Sequence, residues 1–132
     1  MERKTIYISL PITGRKQETV REHAERLRQL VESWGGSYVL PTEIPEIREA
    51  IGRGEDQEDP QAFYALCMGH CVRRLLGCSA ILLAKGWRKS RGCRAEAALA
   101  VIYGKVIFVE RGKNARLAGP YTIVESIYQD KL

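Results

Sequence analysis

The stretch Ala80-Ile81-Leu82-Leu83-Ala84-Lys85-Gly86-Trp87-Arg88-Lys89-Ser90-Arg91-Gly92-Cys93-Arg94-Ala95-Glu96 decides the fold. Its first four residues form an uninterrupted apolar run, the pattern of a strand covered on both faces. A basic loop with two glycines follows. A helical pattern then runs to Tyr103, with apolar residues at Ala95, Leu99 and Ile102 and with Gly104 as its C-cap. Strand, glycine-bearing loop and helix together build a site, because loop N–H groups and the positive end of a helix favour an anion. Glu96 stands at the edge of that site, where nearness to the helix N-terminus is expected to keep it ionised.

Working outward, Thr5-Ile6-Tyr7-Ile8-Ser9-Leu10 reads as a first strand ended by Pro11. Pro11-Ile12-Thr13-Gly14 is a turn, with Thr13 or Gly14 placed to cap the next helix. From Arg15 to Trp34 apolar residues recur at Val20, Ala24, Leu27, Val31 and Trp34, with Glu22 and Arg26 pairing on the opposite face. Gly35-Gly36 stops that helix and Ser37-Tyr38-Val39-Leu40 is a second strand. The segment Thr42 to Asp59 reads as a long loop with one helical turn around Pro45–Ala50 and an acidic, solvated tip at Glu55–Asp59. Asp59-Pro60 caps and opens a helix to Leu76, ended by Gly77. Lys105-Val106-Ile107-Phe108-Val109 is another buried strand, Arg111 to Gly119 a basic loop, and Thr122 to Gln129 a closing helix.

Strands alternating with helices predict an α/β fold: a single-domain, flavodoxin- or Rossmann-like three-layer sandwich with a mostly parallel sheet over residues 1–132. In such sheets ligands bind beyond the carboxyl ends of the strands, near the switch in strand order. The loops Ser9–Arg15 and Ala84–Gly92 are therefore expected to meet across one cleft.

Composition narrows the classes. With 132 residues, 45% hydrophobic and 28% charged, the chain is about one globular domain. No apolar run approaches the roughly 18–20 residues of a membrane span, and the N-terminus has no signal-like h-region, so a cytoplasmic protein is expected. A net charge of +5 suits an anionic substrate. Arg88, Lys89, Arg91 and Arg94 could also touch nucleic acid, but they crowd a loop beside a carboxylate, and acidic residues interrupt any basic stripe. Cys67, Cys71, Cys78 and Cys93 read as reduced, small hydrophobes; Cys67 and Cys71 flank His70 without the second pair a zinc site needs. His23 and His70 read as structural or solvated residues.

Tyr7-x-Ser9-x-Pro11 with Thr13-Gly14, followed by Gly86-Trp87-x-x-Ser90-x-Gly92-x-x-x-Glu96, resembles the nucleoside 2-deoxyribosyltransferase superfamily. The resemblance spans about residues 5–110, and the Ser-x-Gly-x-x-x-Glu spacing is also similar to the 2'-deoxynucleoside 5'-monophosphate N-glycosidases. It implies a glycosidase in which Glu96 attacks the anomeric carbon and displaces the base, with Tyr7 as its orienter. Ser90 and Gly92, with Thr13, Gly14 and Arg15, would hold a 5'-phosphate, while Ser9, Pro11 and Gly86 shape the pocket. Trp87 would stack on the base or else cap the core under the loop. Ser79 stands where many relatives carry a substrate-contacting aspartate and cannot supply a proton at neutral pH. The resemblance further implies a small-molecule nucleotide or nucleoside partner, no cofactor or metal, and a homodimer or larger homo-oligomer packed through Gly119–Leu132, with Tyr121 and Tyr128. A base-exchanging transferase is the near variant, and a non-catalytic nucleotide-binding module the alternative of another class.

Overall fold

A computed structural model describes residues 4–128. Its sheet has five strands: β1 (Thr5–Ser9), β2 (Ser37–Val39), β3 (Ala80–Leu83), β4 (Val106–Arg111) and β5 (Asn114–Ala118). They lie in the order β2-β1-β3-β4-β5, with the first four parallel and β5 antiparallel to β4. Six α-helices connect or flank them: α1 (Gln17–Ser33), α2 (Pro45–Gly52), α3 (Glu55–Glu58), α4 (Pro60–Leu76), α5 (Arg91–Ile102) and α6 (Pro120–Tyr128). The expected three-layer α/β sandwich is the one found.

The pleat sorts the core into two halves, because successive side chains of a strand face opposite ways. Ile6, Ile8 and Leu10 join Ala80 and Leu82 against Val20, Ala24, Leu27 and Val31 of α1. Tyr7, Ile81, Leu83 and Ile107 face the other layer, where α2, α4, α5 and α6 contribute Ile47, Leu75, Ala97, Ala100 and Ile123. All four β3 residues are buried, as their apolar run required. Ala97 and Ala100 are fully buried, so α5 rests on the sheet through methyl groups.

Local chemistry fixes the helix ends. Asp59 accepts from the Ala62 N–H at 3.1 Å and Pro60 fills the first turn of α4, as expected. Neither Thr13 nor Gly14 caps α1: Lys16 occupies that position with no side-chain bond, and Gly14 instead takes φ +78° in the preceding turn. Glu22 is not the partner of Arg26, which reaches Glu110.

Two segments carry more structure than their sequence suggests. Within the expected loop Thr42–Asp59, α2 makes two full turns from Pro45, a residue suited to a first helical turn, and α3 follows. Within the expected loop Arg111–Gly119 lies β5, joined to β4 by the two-residue turn Gly112-Lys113. Gly112 has φ +59°, the freedom such a hairpin turn needs. Gln129, the end of the expected closing helix, and the tail to Leu132 lie outside the described residues, as do residues 1–3. Among the described residues no helix is long and apolar enough to cross a membrane.

Overpacking under α5 should be felt directly. Ala100→Leu is expected to lower unfolding free energy by about 1–3 kcal/mol, because the added carbons must lift the helix from the sheet. Urea denaturation checks it: an unchanged midpoint would show that α5 does not seat on its alanines.

Candidate active site

The carboxyl ends of β1 and β3 open into a cleft of about 920 Å³. The loops after these strands touch: a Cβ on Gly86 would lie 3.7 Å from the Pro11 ring, and φ +90° favours glycine there. The two loops expected to meet do meet.

Glu96 lines this cleft although only 4% of the residue is exposed. Along α5 the buried positions are Cys93, Glu96, Ala97 and Ala100, so a carboxylate occupies a core position of the helix. The pleat of β1 turns Tyr7 and Ser9 toward it. The Tyr7 hydroxyl donates to Glu96 Oε2 at 2.6 Å, and the Ser9 hydroxyl to Oε1 at 2.7 Å. Burial pushes the Glu96 pKa up and the two hydroxyl bonds pull it down; the net direction is upward. Glu96 is the sixth residue of α5, a turn beyond the strongest part of the helix field. Tyr7, buried beside Glu96, is pushed far above its usual range and stays a donor.

Ser90 caps α5 by accepting from the Cys93 N–H at 3.2 Å, and it lines the cleft with Pro11, Thr13, Arg15, Gly86 and Gly92. Gly92 faces α4 across the cleft: a Cβ there would make ordinary contacts, 3.4 Å from Met68 Sδ and 3.5 Å from Tyr64 Oη. Tyr7 and Ser9 stand fully buried behind Glu96, and Gly14 lies in the turn rather than on the wall. Two expected residues are elsewhere. Trp87 opens a short 3₁₀ turn and is buried in the core with Tyr7, Ile81 and Leu83, so it caps the core and presents no stacking face. Ser79 is exposed at the amino end of β3, away from the cleft, where its hydroxyl donates to the Thr5 carbonyl at 3.1 Å.

Sequence reasoning passed over two walls. One is α4, whose Phe63, Tyr64, Cys67, Met68 and Cys71 recur at helical spacing along the cleft. Arg91 lies over the Tyr64 ring at 6.0 Å. Burial pushes the Cys71 thiol up to about 12, so it is an inert part of this wall. The other wall is polar: His23 of α1 pairs with Glu110 at the end of β4, both buried. His23 fills the same helix face as Val20, Ala24 and Leu27, a position at i+3 from Val20 that its spacing already marks as inward. Burial would raise the Glu110 pKa, but bonds from His23, the Lys85 N–H and Arg26 hold it down at about 2. Arg15, Arg26, Lys85, Lys89 and Arg91 line the cleft against the carboxylates Glu22 and Glu96, a surplus of positive charge that suits an anionic ligand.

A mostly apolar cleft at the strand-order switch, with one buried carboxylate on its floor and basic groups on its rim, stands where doubly wound α/β proteins bind their ligands. The chain belongs to DUF4406, a domain of unknown function, whose family profile matches residues 4–109. No curated protein matches it. Among solved structures it is similar to the 2-deoxyribosyltransferase of the psychrotolerant bacterium Bacillus psychrosaccharolyticus. That match has 13% sequence identity and a TM-score of 0.53, covering 93% of this chain and 82% of the other. At that identity the likeness speaks for the fold.

The raised Glu96 pKa has a consequence for stability. A carboxyl whose folded pKa exceeds its unfolded value favours folding below the unfolded pKa and loses that contribution as pH rises through the folded one. Glu96→Gln is therefore expected to raise the melting temperature at pH 8, with the gain shrinking to nothing on acidification below pH ~4. Thermal unfolding across that range tests it. A gain independent of pH would mean that Glu96 is not destabilised as a buried charge.

Proposed function

We propose that this protein is an N-glycosidase acting on a (deoxy)nucleoside 5'-monophosphate, with Glu96 as the nucleophile. The observation that carries the reading is the Glu96 carboxylate on the floor of the cleft, gripped by Tyr7 and Ser9. Two hydroxyl donors fix the orientation of the carboxylate, and each oxygen keeps a lone pair for the substrate. A carboxylate held in this way is built for attack on an electrophilic carbon.

In the first step a Glu96 oxygen bonds to the anomeric carbon while the carbon–nitrogen bond breaks. The bonding pair leaves with the base, which takes up a proton. In the second step water adds to the same carbon, the ester releases Glu96, and the proton of the water returns to solvent. One water is consumed, and free base and sugar phosphate result. Should a second base replace water, the same intermediate gives base exchange, the transferase variant. Thr13, Arg15, Ser90 and Gly92 line the same cleft and supply donors for the phosphate. Phe63, Tyr64 and Met68 offer the apolar surface for the base. The acidic tip Glu55–Glu58 does not line the cleft, and the departing base takes its proton from water.

The test is chromatography of reaction mixtures containing ribo- and deoxyribonucleoside monophosphates. Wild type is expected to release free base, and Glu96→Ala to reduce that release by at least about 10³-fold. Protection of the protein by nucleotides against heat, with no base released from any of them, would replace the enzyme by a nucleotide-binding module. Equal release by both proteins would remove Glu96 from the chemistry.

The same reading carries a homo-oligomer, in which the exposed Tyr121 and Tyr128 of α6 are contact residues. Light scattering at micromolar concentration should give at least twice the chain mass of 14.9 kDa. A monomer overturns it.

A further inference from the structure

The His23–Glu110 pair has a direction, and the direction assigns it a task. Arg15 Nη2 lies 3.2 Å from His23 Nδ1. A guanidinium only donates, so Nδ1 must accept, and the ring proton sits on Nε2. Nε2 then donates to Glu110 Oε1 at 2.7 Å. Glu110 is fixed in turn by the Lys85 N–H on Oε1 at 2.8 Å and by Arg26 Nη2 on Oε2 at 2.9 Å. Both imidazole nitrogens are engaged within the protein, which leaves the ring without a proton to deliver to a substrate. What the chain does control is Arg15.

Arg15 Nη1 donates to the Pro11 carbonyl at 2.7 Å, so two bonds on different nitrogens set the plane of the guanidinium on the cleft wall. A guanidinium carries five N–H groups, and three remain for an anion. We propose that Glu110 and His23 are positioning residues that hold Arg15 as the receptor for the anionic group of the ligand, the 5'-phosphate where the reading under Proposed function is right. The relay begins with Glu110 at the end of β4, which the Lys85 N–H of the loop after β3 also anchors, passes through His23 of α1, and ends on Arg15 in the turn after β1. Rigid elements thereby orient an arginine that a turn alone would leave with many rotamers. Preorganisation of this kind raises affinity by lowering the entropy lost on binding.

The experiment uses the full chain carrying Glu96→Gln, so that turnover does not obscure binding, and calorimetry with three probes: inorganic phosphate, deoxynucleoside 5'-monophosphates and the matching nucleosides. His23→Leu is expected to weaken phosphate and monophosphate binding roughly tenfold or more, as loss of a hydrogen bond to a charged group does. Nucleoside binding should not change. His23→Gln, whose amide can accept from Arg15 and donate to Glu110, should restore most of the loss. Added to Arg15→Ala, His23→Leu should cost little more, since both act through one guanidinium. Melting temperatures of each variant separate this from simple unfolding. Equal losses for nucleosides, additivity with Arg15→Ala, or a folded His23→Gln no better than His23→Leu would overturn the proposal. Binding of phosphate but of no nucleotide would keep the pair and remove the nucleotide reading. Nucleotide binding indifferent to His23 would do the reverse, and an unsubstituted site that binds neither phosphate nor nucleotide would sink both.

Discussion

The rest of the molecule is arranged around a carboxylate that the core does not favour. Glu96 occupies a helix position where the pattern of α5 calls for a small or apolar residue, and burial disfavours its charged form. It is tolerated because β1 supplies two hydroxyls from alternate positions on one face, and their donors reach both oxygens. The reach is short, so α5 must lie close to the sheet, which explains the alanines at 97 and 100. It also requires β1 and β3 to be neighbours in fixed register, with Tyr7 opposite Ile81 and Ser9 opposite Leu83. A slip of one residue would turn both hydroxyls to the α1 face.

The two buried carboxylates of the cleft region are pushed in opposite directions. Glu110 receives three donors, one from a backbone N–H and one from an arginine, and is held at about 2. Glu96 receives two neutral hydroxyls and is raised. A group so firmly ionised as Glu110 is an anchor, since protonation or bond formation would weaken the charge-assisted bonds from His23, the Lys85 N–H and Arg26. A group with weaker partners and an open side keeps the freedom to react. Environments that separate two like groups in this way divide labour between them.

Much of this was legible in the chain. The four-residue apolar run at Ala80–Leu83 and the capping residue Asp59 act through local chemistry, and the structure uses them as their spacing implies. Tyr7, Ser9 and Glu96 stood out through motif context, and the fold brings all three together. What stayed hidden depends on distant partners. The spacing of His23 from Val20 marks it as inward, but its charged neighbours Glu22, Glu25 and Arg26 suggest solvent, and its partner Glu110 is 87 residues away. Trp87 follows a glycine in a basic loop, and only the packing of α5 over β3 makes that place interior. The strand β5 alternates weakly and lies at the sheet edge, where solvent tolerates its arginine, so its residues carry little β signal beyond the Gly112-Lys113 turn.

The strand order explains why the site has two unlike walls. From β1 the chain leaves toward α1 on one face, and from β3 it leaves toward α5 on the other. Inside the sandwich the sheet separates these layers, so a residue of α1 cannot meet one of α5. Beyond the carboxyl ends of β1 and β3 there is no sheet between them. His23 can therefore come from the α1 face and Glu96 from the α5 face, and both line a single cleft. The pleat of β4 fits the same division: Ile107 packs with the α5 layer, Phe108 with the α1 layer, and two residues further Glu110 meets His23. A cleft fed from both faces can hold a carboxylate in a setting that raises its pKa and an arginine fixed by a firmly ionised partner. Neither layer alone could present both to one ligand.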